Sequence, residues 1–102
     1  MTAPSRHAHR PLATPTRQYE TSRVIVTEWR FPPGGHTGWH THAYDYVVVP
    51  MTTGPLTIDT GAADVISDLV AGRSYGRDRG VEHDVINDNP HEFVFIEIEM
   101  LP

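Results

Sequence analysis

The sequence contains no cysteine. That excludes a disulfide framework and any thiolate metal site, so a protein-bound metal must rest on His, Asp, Glu, Tyr or backbone oxygen. No apolar run approaches the roughly 20 residues of a membrane-spanning helix. The opening residues, MTAPSRHAHRPLATPT, lack the apolar centre of a signal peptide, so the expected address is the cytoplasm, with no membrane partner. Positive charge is outnumbered: eight basic residues face 13 acidic ones, for a formal net charge of −5. A general nucleic-acid binder would carry a basic face, so no nucleic-acid partner is expected. No stretch shows a convincing amphipathic helix period, and no internal repeat is present. The chain has 102 residues, enough for one domain with one modest core.

What remains is a series of short strand patterns broken by Gly and Pro. Residues 1–17 hold Pro4, Pro11 and Pro15 among polar residues and read as a flexible N-terminal arm. His7 and His9 form an HxH pair there, expected as part of a solvated tail. An adventitious metal site and a contact with a partner subunit are the alternatives. Residues 18–102 read as a single domain. Arg23–Phe31 is a strand with Ile25, Thr27, Trp29 and Phe31 on one face and Val24, Val26, Glu28 and Arg30 on the other. Tyr46–Thr52, Leu56–Thr60, Asp64–Val70, His83–Asn87 and Glu92–Leu101 are further strands, separated by turn residues. Pro50 cannot donate to a ladder and marks an edge or an interruption. A further turn-and-strand unit begins at Ala71-Gly72. Glu97 and Glu99 are expected to face Glu28 and Arg30 across a sheet. Many short strands with Gly/Pro turns predict an all-β sandwich or barrel with little or no helix.

The chemistry concentrates in Gly34–Tyr46, GGHTGWHTHAYDY. His40 and His42 are two apart, and residues two apart on a strand leave the same face. Two imidazoles side by side can hold one metal ion, and imidazole suits several transition metals. His83, in GVEHDVIN, is the best third ligand. If no bulge intervenes, Tyr44 and Tyr46 share the face of His40 and His42, and Asp45 points away. A bulge would turn Asp45 inward instead.

The pattern resembles the two motifs of the cupin family. The first, G-x5-H-x-H-x3/4-E-x6-G, is matched by Gly34, His40 and His42. Tyr46 stands at the glutamate position, and Gly54 falls one place late. The second, G-x5-P-x-G-x2-H-x3-N, is matched by Gly72, Gly80, His83 and Asn87, with Asp78 in place of the proline. Within cupins, GWHTHAYDYVVVP is similar to a group of small bacterial proteins loosely linked to β-alanine breakdown. The resemblance implies a double-stranded β-helix, or jelly-roll barrel, over residues 18–102. It also implies a mononuclear site at His40, His42 and His83 for a divalent metal ion: iron, zinc, manganese or nickel.

The missing glutamate changes the charge. Three neutral imidazoles leave a divalent ion its full double charge, which favours an anionic bidentate ligand. Cupin-like three-histidine iron dioxygenases use such a site. The expected function is therefore a small metalloenzyme acting on a chelating acid or carbonyl compound, by dioxygenase-like or isomerase/lyase chemistry. A non-catalytic binding or sensing barrel, with or without a vacant metal site, is the alternative. Tyr46 is the catalytic candidate. It is expected to donate a hydrogen bond beside the metal or to fill space, with direct ligation as the alternative, because a phenol with an ordinary pKa near 10 needs help to ionise. Among Arg73, Arg77 and Arg79, one is a candidate to hold a substrate carboxylate, against a reading as exposed charges balancing nearby acids. His36 is a candidate to line the entrance to the site, against a reading as plain surface, His91 is expected to be solvated, and Asn87 is expected at a strand end or behind His83. Arg23–Phe31 and Glu92–Leu101 are apolar on both faces, whereas a single barrel has one inside, so a homodimer is expected.

Overall fold

The computed structural model describes residues 6–102, in which nine strands and no helix form two antiparallel sheets. The strands are β1 (Thr14–Glu20), β2 (Val24–Phe31), β3 (His40–Thr41), β4 (Asp45–Pro50), β5 (Gly54–Asp59), β6 (Asp64–Leu69), β7 (Tyr75–Arg77), β8 (Glu82–Ile86) and β9 (Phe93–Met100). One sheet has the order β1-β2-β9-β4-β7 and the other β3-β8-β5-β6. This is the double-stranded β-helix expected from the motifs. β9 follows every other strand in the chain, yet it lies between β2 and β4.

Strand alternation puts one face of each sheet inside. Phe31 of β2, Tyr46 and Val48 of β4, Leu56 of β5, Val85 of β8, and Phe93 and Phe95 of β9 are buried there as one cluster. Register fixes the other face of the five-stranded sheet. Val26 opposes Ile98, which opposes Val47, and Ile96 opposes Val49. This outer row is apolar and half-buried, and no described strand packs over it. Glu28 pairs with Ile96, and Arg30 with Val94. Glu97 and Glu99 therefore lie on the opposite face from Glu28 and Arg30, which corrects the expected charge pairing. Arg30 instead bridges Glu28 and Glu92.

Pro50 ends β4 opposite Phe95, beyond the three residues of β4 that pair with β7. Its missing N–H therefore costs the ladder nothing. The β5–β6 hairpin turns at Thr60–Ala63, closed by the Thr60 N–H donating to the Ala63 carbonyl at 3.0 Å. Gly61 has φ +88° there, and a Cβ at that position would meet the Trp39 ring at 3.1 Å. Both the left-handed backbone and the indole above it require glycine.

The N-terminal segment departs from the expected arm, although residues 1–5 lie outside the described residues. Thr14–Glu20 is a strand on the sheet edge, paired with β2 through a bulge between Arg17 and Tyr19. Ala13 is buried, and its N–H donates to the His36 carbonyl at 2.8 Å. Arg6 forms ion pairs with Asp59 at 2.9 Å and Asp64 at 2.7 Å. Every side chain of β1 is exposed, so the strand is held by backbone bonds that a polar sequence does not advertise.

Candidate metal centre

β3 and β8 pair so that His40 lies opposite His83. The pairing continues past the end of β3, because the His42 N–H donates to the Val81 carbonyl at 2.9 Å and the Gly80 N–H to the His42 carbonyl at 2.8 Å. The expected parity therefore holds, and His40 and His42 leave the same face. The Nε2 atoms of His40 and His42 are 3.0 Å apart, and those of His42 and His83 are 3.1 Å apart. The three residues offer ligand atoms that all lie within 4.8 Å of one another.

This cluster has more lone pairs than protons. The Gly38 carbonyl can only accept, and His40 Nδ1 lies 2.8 Å from it. Nδ1 of His40 is therefore the protonated nitrogen, and its Nε2 presents a lone pair. The His42 Nε2 can donate to one neighbour at most, so the cluster cannot satisfy itself. A proton does not remedy this at neutral pH. Burial, followed by the charge of His40, pushes His42 down to about 4. Burial, followed by the charges of His40 and His42, pushes His83 down to about 3. A metal cation fits instead: two nitrogens each about 2.1 Å from one ion, at right angles, lie roughly 3.0 Å apart.

Further contacts lie behind the histidines. The Asp84 carboxylate, fully buried, faces His36 Nδ1 at 2.9 Å and accepts from the Gly38 N–H at 3.1 Å. It thereby fixes the loop whose Gly38 carbonyl orients His40. His36 is 2 % exposed, so the reading as plain surface fails. Its partner is 48 residues away in sequence, which leaves no local signal. His91 is exposed, as expected. Asn87 is fully buried, and its Nδ2 donates to the carbonyls of His91 at 2.9 Å and Pro32 at 3.2 Å. It fixes the strand end rather than orienting His83.

Tyr46 is 2 % exposed and stacks on His42, with ring centroids 3.8 Å apart and planes 14° apart. Burial, and then the proximity of Tyr75 and Glu97, pushes its phenol up to about 12. Asp45 is exposed and accepts from the Arg79 N–H at 2.8 Å. It therefore does not replace the missing carboxylate. A different acid stands in the wall: Glu97 of β9, 8 % exposed, with Oε2 4.0 Å from His42 Nδ1. Burial, and then Glu99, pushes its carboxyl up to about 7. Among the described residues the Trp29 indole N–H completes no hydrogen bond, although its proximity draws the Glu97 carboxyl down. The sequence signal for Glu97 was its alternation with Phe93 and Phe95.

The histidines open on a cavity of about 380 Å³ between the sheets, walled largely by Val48, Leu56, Ile58, Val85 and Phe95. Thr37, Trp29 and Glu97 also border a smaller recess of about 270 Å³, which His40 and His42 line as well. Among the described residues, His7, Asp59 and Asp64 form another group with metal-ligand spacing. Arg6 already spans both of those carboxylates, so a cation there would have to displace a guanidinium. No described helix is long and apolar enough to cross a membrane.

No family model matches the chain. The β-alanine degradation protein BauB of Pseudomonas aeruginosa is 55% identical over 91 residues, which span 89% of this chain and 96% of that protein. The crystal structure of a cupin domain from Bordetella pertussis Tohama I is 61% identical with a TM-score of 0.89, over 91% of this chain and 97% of that one. A cupin superfamily protein from Desulfitobacterium hafniense DCB-2 shares the fold at a TM-score of 0.69 and 16% identity, over 88% of this chain and 78% of its own. With its paired sheets, its clustered histidines and a relative matched across nearly its whole length, the chain belongs to the small single-domain bacterial cupins, in the family of BauB.

Proposed function

We propose that this cupin is a metal-dependent enzyme that acts on a small chelating acid or carbonyl compound, with His40, His42 and His83 as the metal ligands. The observation that carries this reading is the convergence of three Nε2 atoms, deficient in protons, at the edge of an apolar cavity. A divalent ion held by three neutral imidazoles supplies a Lewis acid of undiminished charge, suited to anionic oxygen ligands and to dioxygenase-like or isomerase/lyase chemistry.

The chain's own residues do the rest. Gly38 and Asp84 fix the ring of His40. Tyr46, a neutral phenol at physiological pH, braces His42 by stacking in the cavity wall. The apolar lining excludes water from the bound substrate. BauB is named for β-alanine degradation, which favours a small metabolite as substrate. The experiment is elemental analysis of untagged protein alongside His83→Ala, with oxygen consumption followed on the iron-loaded form. One equivalent of transition metal in the wild type, lost in the variant, supports the reading. Metal content near zero at neutral pH, or unchanged in the variant, refutes it. Tight metal-independent ligand binding without turnover would assign the barrel to binding or sensing.

The working unit in this reading is a homodimer in the cytoplasm. Its support is the uncovered apolar row of Val26, Ile98, Val47, Ile96 and Val49 on the outer sheet face. A two-fold axis there would let the row cover itself.

A further inference from the structure

Arg77 occupies an unusual place among the basic residues. All eight are arginines. Arg6, Arg10, Arg17 and Arg30 are held in ion pairs with Asp59, Asp88, Glu20 and Glu28 respectively. Arg77 alone of the eight lines the cavity that opens on the three histidines. It leaves β7 opposite Tyr46, and its guanidinium lies over the Tyr75 ring, 4.9 Å from the centroid. Among the described residues its guanidinium forms no ion pair, and its side-chain hydrogen bond to the adjacent Gly76 carbonyl, at 3.4 Å, is long. Its charge is felt at Tyr46, Tyr75 and His83, which places it within electrostatic reach of the candidate metal centre. Stacking on an aromatic face holds the planar fork in position while its N–H donors stay available.

We propose that Arg77 is the carboxylate-binding residue of this cavity, so that the ligand is a small acid with an apolar body, its carboxylate on Arg77 and its other end toward the histidines. This deepens the proposed function and rests on the cavity being a substrate site. A guanidinium recognises a carboxylate through two parallel N–H···O bonds, a geometry that neither an alcohol nor an amide reproduces. The cavity walls of Leu56, Ile58 and Val85 suit an aliphatic or aromatic body. Two acids also border the cavity, Glu97 in the wall and Glu82 on β8. A free acid therefore gains nothing from the overall charge of the metal-free pocket, and its preference must come from the guanidinium itself.

The test uses metal-free protein, so that it does not depend on the metal. Hexanoate and hexanamide are titrated into the wild type, Arg77→Gln, Arg77→Lys and His83→Ala, with affinities read by calorimetry and by quenching of Trp29, which lines the cavity. The wild type is expected to prefer hexanoate by about tenfold or more, as a charge-assisted hydrogen-bond pair implies. Arg77→Gln abolishes the preference while leaving hexanamide affinity unchanged. Arg77→Lys keeps part of it, and His83→Ala keeps all of it. Equal affinity for acid and amide in the wild type overturns the proposal, as does a preference that survives Arg77→Gln. Loss of the preference in His83→Ala but not in Arg77→Gln also overturns it, by placing the acid on the histidines. Zinc titration of Arg77→Gln separates this from failure of the metal reading: wild-type uptake with lost acid preference supports Arg77. Absence of zinc uptake by every form would leave the carboxylate result standing and remove the metal centre.

Discussion

Acidification from about pH 7.5 to about pH 5.5 is expected to weaken zinc binding by less than about tenfold, because two of the three rings have little proton to shed. A histidine at its ordinary pKa of about 6.5 is roughly nine-tenths protonated at about pH 5.5, which costs about tenfold in metal affinity per ring. Two such rings would cost about a hundredfold, or about 2.7 kcal/mol. Here burial holds His42 down at about 4 and His83 at about 3. Both are neutral throughout the range, and their joint penalty falls close to nothing. The assay is competition with a calibrated chromophoric chelator at each pH. Thermal unfolding provides a second readout. Free zinc at about 100 times its Kd adds about 2.7 kcal/mol, which for a domain this small raises Tm by about 11–22 °C. His83→Ala should lose most of that rise. A hundredfold or greater fall in affinity between the two pH values would show that the rings titrate normally, and the buried, proton-poor cluster would be wrong.

Three other outcomes follow from named contacts. Glu97, with its carboxyl raised to about 7, holds its proton more tightly folded than unfolded. Its contribution to stability is complete below its unfolded pKa of about 4.5 and is lost as pH rises through about 7. Glu97→Gln should therefore gain stability relative to the wild type between about pH 5 and pH 8 in urea unfolding of metal-free protein, and a constant difference would refute this. Asn87→Ala strips buried donors from two backbone carbonyls and should cost about 2–6 kcal/mol by the same method, at about 1–3 kcal/mol per unsatisfied group. Ile98→Glu places a charge in the uncovered apolar row, and by symmetry does so twice. Sedimentation should then show the 11.4 kDa monomer where the wild type shows a dimer, and a wild type that sediments only as a monomer would refute the assembly.

Much of this molecule was legible where a side-chain pattern carries the structure. β2 and β9 announce themselves through β-branched and aromatic alternation, and the parity of His40 and His42 follows from two residues of spacing. His83 needed the spacing of a whole second motif. The rest depended on backbone or on distance. β1, TPTRQYE, buries nothing and is held by its ladder to β2, which composition does not encode. The His36–Asp84 pair exists only after the fold brings its halves together. Glu97 illustrates a third difficulty. A carboxylate in a strand reads as the solvent face, and only its phase with Phe93 and Phe95 revealed that it stands in a cavity wall. Tyr46 could be placed from parity, but its stacking on His42 depends on side-chain rotamers that a sequence does not specify.

The position of β9 has a consequence for biogenesis. As the chain leaves the ribosome, β2 and β4 emerge early, but the strand that joins them arrives after all the others. Until Phe93–Met100 is free of the exit tunnel, both neighbours present open ladders and half a greasy interior to the cell. Closure of this barrel must then wait for β9, and a nascent chain stalled before that strand emerges would be a natural client for chaperones.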